Sequence, residues 1–221
     1  MRMRINDDFS KRVIIRPDDY LWVESPMPGV ERMMFDRVGK EVARATSLVR
    51  YAPNSTFSQH EHSGGEEFLV LEGEFADEHR AYPVGSYVRN PIGTAHTPSI
   101  GAQGCIIFVK LRQFEADDQS QLVVDTKNRH WSPGLVPGLE VMSLHQYERE
   151  QVALVKWAPH TEFNEHTHWG GEEIFVIEGS FLDEHGEYPA GTWIRSPDQS
   201  SHRPFTRGEG ALIYVKVGHL L

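Results

Sequence analysis

A single cysteine, Cys105, stands in 221 residues, so no intramolecular disulfide can form and no all-thiolate zinc knuckle can be built. Long apolar runs are missing as well. The hydrophobic residues, 39% of the chain, come in short stretches such as CIIFVKL and EIFVIEG, far below the roughly 18 residues that a membrane-spanning helix needs. Positive charge is scarce: 22 Lys and Arg against 32 Asp and Glu leave a formal charge of −10, which repels a nucleic-acid backbone or an anionic leaflet, and no basic patch offsets it. The opening MRMRINDDFSKR has four basic residues, but two aspartates interrupt them and no apolar stretch follows, so neither a secretory signal nor a membrane anchor is read there. The expectation is a globular cytoplasmic protein that binds neither nucleic acid nor membrane. Extended helical periodicity is also absent. What the chain has in excess is histidine, twelve residues, and an internal copy of itself.

Shifting the sequence by 106 superimposes His60 on His166, His62 on His168, Glu66 on Glu172, His79 on His185 and His96 on His202. Between Leu48 and Lys110 this ungapped shift preserves 29 of 63 positions. Random placement of the histidines would give about 0.3 coincident pairs where four are found, so chance is a poor account. Upstream the shift becomes 109: Trp22, Pro28, Gly29, Glu31 and Met33 meet Trp131, Pro137, Gly138, Glu140 and Met142, and Val13, Ile14 and Ile15 meet Leu122, Val123 and Val124. The three-residue length difference falls between Met33 and Leu48. Two sister domains are expected, 1–112 and 113–221.

Within each copy, short runs of β-branched and aromatic residues (SLVRYA, EEFLVLEG, GSYVRN and CIIFVKL; ALVKWA, EEIFVIEG, GTWIRS and ALIYVKV) alternate with Gly, Pro and Asp clusters. That pattern predicts an all-β fold, a double-sheet jelly roll or small barrel in each half. EFADEHRAYP and SFLDEHGEYP read as hairpins.

Each half also carries His-x-His, a Glu four residues on, and a third His thirty residues beyond it: His60, His62, Glu66 and His96, then His166, His168, Glu172 and His202. On an extended strand, residues i and i+2 share a face, so both imidazoles of His-x-His can converge on one ion. Gly64 and Gly65, and Gly170 and Gly171, let the backbone turn so that Glu66 and Glu172 return a carboxylate to the same focus. The alternative, surface histidines beside a strand-capping glutamate, must explain two copies that agree in type and spacing. Imidazole and carboxylate suit zinc, iron, manganese, nickel and copper alike, and the set leans only against soft thiolate sites.

These spacings resemble the two motifs of the cupin superfamily, G-x5-H-x-H-x3,4-E-x6-G and G-x5-P-x-G-x2-H-x3-N. The first half matches at His60, His62, Glu66, Gly73, Gly85, Pro91, Gly93 and His96; the second at His166, His168, Glu172, Gly179, Gly191, Pro197 and His202. The departures spare every ligand: Asn54 and His160 replace the leading glycine, Gln199 a turn glycine, and Ile100 and Thr206 the closing asparagine. More narrowly, the H-x-H-x-G-G-E-E run, the F-x-D-E-H turn and the Y-P-x-G-[ST] step look like the ChrR-type cupin, the C-terminal domain of zinc-binding anti-sigma factors, over both halves. The resemblance implies tandem double-stranded β-helix barrels, a bicupin. It also implies that all eight of these His and Glu residues ligate metal, at two sites with zinc the first choice and iron, manganese or nickel the alternatives. An extracytoplasmic-function (ECF) sigma factor as partner and a homodimer follow from resemblance alone. The anti-sigma relatives also have a helical zinc domain with a Cys-x2-Cys pair, which these 221 residues lack, so the label speaks to ancestry before activity.

Other repeated residues have structural readings. His79 and His185 sit at hairpin tips as turn residues. Arg89 and Arg195 are expected to pair with carboxylates such as Glu67 and Glu173 rather than to clamp a substrate. Phe57, Phe163, Tyr87 and Trp193 are core or pocket aromatics, Cys105 a buried thiol, and Trp22 and Trp131 anchors of each domain's leading segment. His130, His145, His160 and His219 have no repeat partner and are assigned nothing. Two functions are expected in this order: a metal-binding regulatory or sensory protein of the anti-sigma type, then a cupin metalloenzyme with a small-molecule ligand, such as a non-haem iron dioxygenase resembling the acetylacetone-cleaving type, or an isomerase.

Overall fold

The structure, a computed structural model, describes residues 3–220, so the first two residues of the basic N-terminal segment lie outside it. Among the described residues the only helical element is one 3-10 turn at Pro17–Asp19, and no helix is long and apolar enough to cross a membrane. The all-β, tandem-barrel expectation holds.

The first unit is built on a sheet in the order Arg4–Ile5, Val30–Gly39, Ala43–Tyr51, Ser99–Leu111, Glu66–Ala76, Ser86–Asn90 and Leu122–Asp125, with a separate ribbon of His60–Glu61 against Ala95–His96. The second repeats it: Ser132–Pro133, Leu139–Tyr147, Glu150–Trp157, Ala211–Val217, Glu172–Asp183, Trp193–Ser196 and Val13–Ile15, with a ribbon of His166–His168 against Ser200–His202. Every recorded strand pair is antiparallel, and side chains alternate between the interior and the outer face. Phe68, Val70, Phe75, Ile107 and Val109 fill the first interior, and Ile174, Val176, Phe181, Ile213 and Val215 the equivalent places in the second. Burying one such side chain is worth about 1.5–3 kcal/mol, which is why these strands read as apolar alternation.

The units divide differently from a linear cut at residue 112. The first takes residues up to Asp7 and Leu21–Asn128; the second takes Asp8–Tyr20 and the chain from Arg129 onward. The edge strand of each sheet is thus drawn from the other copy of the repeat, in equivalent register: Leu122, Val123 and Val124 pair with Arg89, Val88 and Tyr87, while Val13, Ile14 and Ile15 pair with Arg195, Ile194 and Trp193. The physical reason is that a sheet edge is completed by whichever strand satisfies its open N–H and C=O groups, irrespective of where the repeat begins.

Gly73 and Gly179, which close the first cupin motif in each copy, adopt φ of +69° and +71°, and a Cβ there would come within 2.0 and 2.2 Å of the Gly104 and Gly210 carbonyl oxygens. At three of the departures from the motif the backbone keeps a left-handed conformation that suits glycine. Asn54 and His160 hold φ of 56° and 58°, and Gln199 holds 61° where its counterpart Gly93 has 86°.

Candidate metal centres

Each centre sits where the short ribbon faces the strand that begins with Glu66 or Glu172. In the ribbons His60 lies opposite His96, and His166 opposite His202. A tight turn through Gly65 in one unit, and through Gly170 and Gly171 in the other, brings the glutamate back beside them. All eight residues expected as ligands come together as two quartets, within each of which one ligand atom per residue lies inside 4.8 Å of all the others.

In the first quartet, Nε2 of His96 is 3.3 Å from Nε2 of His62 and 3.2 Å from Nε2 of His60. Oε2 of Glu66 is 3.2 Å from His62 Nε2 and 3.7 Å from His96 Nε2. In the second, His166 and His168 Nε2 are 3.1 Å apart, and Glu172 Oε2 is 3.4 Å from His168 and 3.7 Å from His202. With metal–ligand bonds of ~2.1 Å, cis ligand atoms sit ~3.0 Å apart in an octahedron and ~3.4 Å in a tetrahedron, so these spacings suit a first-row divalent ion.

The other ring nitrogen of most of these histidines is engaged, which aims Nε2 at the focus. Nδ1 of His60 faces the Ser58 carbonyl at 3.4 Å and that of His166 the Asn164 carbonyl at 3.1 Å. His62 and His168 meet the hydroxyls of Thr94 at 2.9 Å and Ser200 at 3.1 Å. Buried Glu172 Oε2 has no hydrogen-bond partner, although it lies among imidazole nitrogens. A buried carboxylate oxygen is costly when left without a partner, and a cation at the focus would satisfy it. The residues therefore fit a metal ion.

Burial alone pushes the Glu66 carboxyl up, but the hydrogen bond from His62 and the charges of His62, His96 and His60 outweigh it and bring it down to about 2. Glu172 goes the other way: burial raises it, and His202 and Arg12 oppose only in part. Burial also lowers His96, His166 and His168, the last to about 3, which favours the neutral imidazole that ligates a metal.

Several contributors escaped the sequence reading. Asp183 Oδ2 lies 3.3 Å from His202 Nδ1 and 2.5 Å from Arg12, and its Oδ1 accepts the Tyr188 hydroxyl at 2.7 Å. Asp77, its counterpart, accepts from Tyr82 at 2.8 Å but stands 3.7 Å from His96 Nδ1. The repeated F-x-D-E-H turn carried this signal, in its Asp rather than its His. His79 and His185 have half-exposed or exposed side chains at the turn, where their backbone N–H groups donate to Asp77 and Asp183.

Arg89 pairs with Glu67 at 2.7 Å and with Asp118 at 2.5 Å, deeply buried. Arg195 donates to the Asp8 carbonyl at 3.0 Å. Glu173 accepts from Trp193 at 3.0 Å and pairs with His219, a histidine to which the sequence assigned nothing. Tyr87 and Trp193 are core residues, whereas Phe57 and Phe163 line cavities. Trp22 and Trp131 lie under Arg50 and Lys156. Burial, chiefly, pushes the Cys105 thiol up to about 12, so it is inert as a nucleophile.

A cavity of about 290 Å³ reaches His60, His62 and Glu66, and one of about 180 Å³ reaches His166, Glu172 and His202. A larger depression of about 880 Å³ between residues 24–31 and 103–106 touches none of the eight ligands. A mostly buried quartet at the end of a mostly apolar cavity is an arrangement that would admit a small molecule to an ion held there.

A search of curated proteins finds no match. Solved structures share the fold. A dioxygenase candidate from Nostoc punctiforme superposes with a TM-score of 0.76 at 15% identity, covering 96% of this chain and 84% of that one. The pirin YhhW from Escherichia coli, in complex with nickel(II), gives 0.68 at 11%, over 94% and 99%. A formate complex of oxalate decarboxylase from Lactobacillus farciminis gives 0.63 at 12%, over 92% and 85%. At such identities the likeness is one of fold. The family model described as the ChrR Cupin-like domain matches residues 10–115 and again 119–221, so this chain belongs to that cupin family and carries its domain twice.

Proposed function

We propose that this protein is a metal-dependent small-molecule cupin in which each quartet holds one divalent ion at the end of its own cavity. The observation that carries the reading is the pairing of preoriented residues, three of the four buried in each quartet, with a cavity that reaches them, because a closed structural site needs no such access. Zinc is the first choice of ion by family, with iron, manganese or nickel as alternatives; nickel is the metal named for the similar pirin. The bound ion supplies Lewis-acid or redox chemistry. The chain's own residues orient five of the six rings, His60 and His62 through Ser58 and Thr94 and His166, His168 and His202 through Asn164, Ser200 and Asp183, and Val49, Tyr51 and Phe57 give the first cavity apolar walls.

A dioxygenase of the diketone-cleaving kind is the enzyme class to test first, since the Nostoc protein is a dioxygenase candidate. The test is metal content per chain by element, measured on natively purified protein, together with oxygen uptake over a panel of β-diketones. Two iron or manganese ions with uptake support the enzyme. Two zinc ions without turnover favour the second reading, a metal-loaded sensory cupin that acts on an ECF sigma factor, which the family match motivates and a pull-down tests. Less than one ion per chain removes both readings.

A further inference from the structure

The two cavities are lined by equivalent residues of the repeat, so a difference between them stands out. Val30, Val49, Tyr51, Phe57 and Val109 of the first correspond to Leu139, Val155, Trp157, Phe163 and Val215 of the second. Two arginines break the pattern: Arg112, whose counterpart is Gly218, donates to the Ser63 hydroxyl at the cavity's edge, and Arg32 stands on a strand rung of the wall. Arg32 pairs across the sheet with Val49, and Val141 pairs with Val155, so an arginine lines one cavity where a valine lines the other. Neighbouring Glu31 is paired with Arg50 at 3.2 Å and lines neither cavity, whereas Arg32 sits among apolar interior positions.

A guanidinium in such a place needs a counter-charge. It has one on loan. Arg32 Nη1 is 3.1 Å from Oε2 of Glu41, and the Glu41 side chain is 60% exposed against 24% for Arg32. Glu41 belongs to the three residues 40–42 that join Val30–Gly39 to Ala43–Tyr51, and Glu41 and Val42 line the cavity. The second unit makes the same connection with Glu148 and Arg149 alone, and neither lines its cavity. The first hairpin is one residue longer in its connection and in each strand, and its connection brings an acid to the arginine. A half-exposed pair of this kind is worth only about 0–1 kcal/mol, so a carboxylate that engages the guanidinium through both oxygens while its apolar body fills the cavity can replace Glu41.

We propose that the first cavity recognises a small monocarboxylate with an apolar body, anchored by Arg32, with Glu41 occupying the anchor when the ligand is away; the second cavity takes uncharged apolar ligands. The proposal deepens the small-molecule reading above and rests on it.

The test is titration calorimetry on the full, metal-loaded chain with 3-methylbutanoate and its uncharged amide, 3-methylbutanamide, with metal content measured on each sample. The expected result is one acid bound per chain, at least tenfold tighter than the amide. Arg32→Met should bring the acid down to the level of the amide while both ions stay bound. Glu41→Gln, at an exposed position that leaves the fold alone, should tighten the acid several-fold by removing the competitor. If the wild type does not prefer the acid, if Arg32→Met binds it unchanged, if Glu41→Gln does not tighten it, or if two acids bind per chain with equal affinity, the inference is overturned. Ion content separates the two levels of failure: ions retained with no acid preference sinks the anchor alone, whereas ions absent sinks the metal-site reading beneath it.

Discussion

The two quartets have identical residues and are supported in opposite ways. In the first unit the acid is secured: Asn90 donates to Glu66 Oε2 at 3.2 Å, while His96 has Asp77 only at 3.7 Å. In the second, Ser196 stands where Asn90 does and Glu172 Oε2 has no hydrogen-bond partner, but His202 is held by Asp183, itself gripped by Arg12 and Tyr188. Arg12 has Gln121 as its repeat partner, so this grip belongs to the second unit alone. The quartet residues are the same in both copies; the residues behind them differ. The contacts behind a ligand tune affinity and ring basicity, so the two ions should differ in tightness even though their donors do not.

The most drastic way to break this comparison is to remove a donor. Glu66→Gln should weaken the first site by more than about 100-fold, beyond the roughly 10–100-fold typical of supporting contacts, while leaving one ion per chain at the second. Glu172→Gln should do the converse, and elemental analysis after dialysis reads both. Equal loss at both sites in either variant would show that the centres are coupled.

A smaller effect sharpens it. Asp183→Asn should weaken the second site about 10–100-fold, because it takes away the partner of His202 Nδ1, whereas Asp77→Asn should cost the first site less than about tenfold. Competition with a chromophoric chelator measures the two. A larger penalty for Asp77→Asn would reverse the assignment of supports.

Acid should next reveal both centres in the metal-free protein. His96, His166 and His168 lie below the usual histidine value of 6.5 when folded, so beneath that pH the unfolded chain binds protons more readily and stability falls. Glu172, raised, offsets part of the loss in its own unit, because its protonated form is favoured by folding. A melting temperature lower by several degrees at pH 5 than at pH 7 is expected by calorimetry, with a steeper fall in the metal-loaded protein because protons also compete with the ion. A flat profile in the metal-free form would mean that these rings are not buried neutral.

The smallest effect concerns a turn. Gln199 holds φ of 61° at the position occupied by Gly93 in the first unit. Gln199→Gly should stabilise by about 1 kcal/mol by relieving the left-handed strain, and Gly93→Gln should cost a similar amount, since nothing within 4 Å of Gly93 obstructs a side chain. Urea unfolding decides it.

Much of the site was legible in the linear order of residues, and the reason is geometric. His-x-His on an extended ribbon and a glutamate just past a glycine turn are local arrangements, fixed by strand pleat and turn conformation, so spacing alone brought His60, His62 and Glu66 together, and likewise His166, His168 and Glu172. His96 and His202, though distant in the chain, were legible through the repeat and the second motif. Asp183 and Arg12 were not, because they lie 171 residues apart and meet only through an edge strand that pairs outside its own repeat. Arg32 was invisible for a related reason. Which face of a strand a residue occupies depends on its register against Val49, and nothing in the chain order marks that rung as part of a cavity wall.

By itself, then, the sequence determined the duplicated all-β architecture, the apolar alternation that fills each interior and the eight residues that gather in two quartets, all of which follow from short-range periodicity and a repeat that can be counted. Only the tertiary structure decided how the units divide, which acid stands behind which histidine, and that Arg32 lines one cavity where Val141 lines the other. Those features depend on pairings between segments far apart in the chain, and such pairings are selected by packing and by hydrogen-bond satisfaction at sheet edges, free energies that no window of neighbouring residues contains.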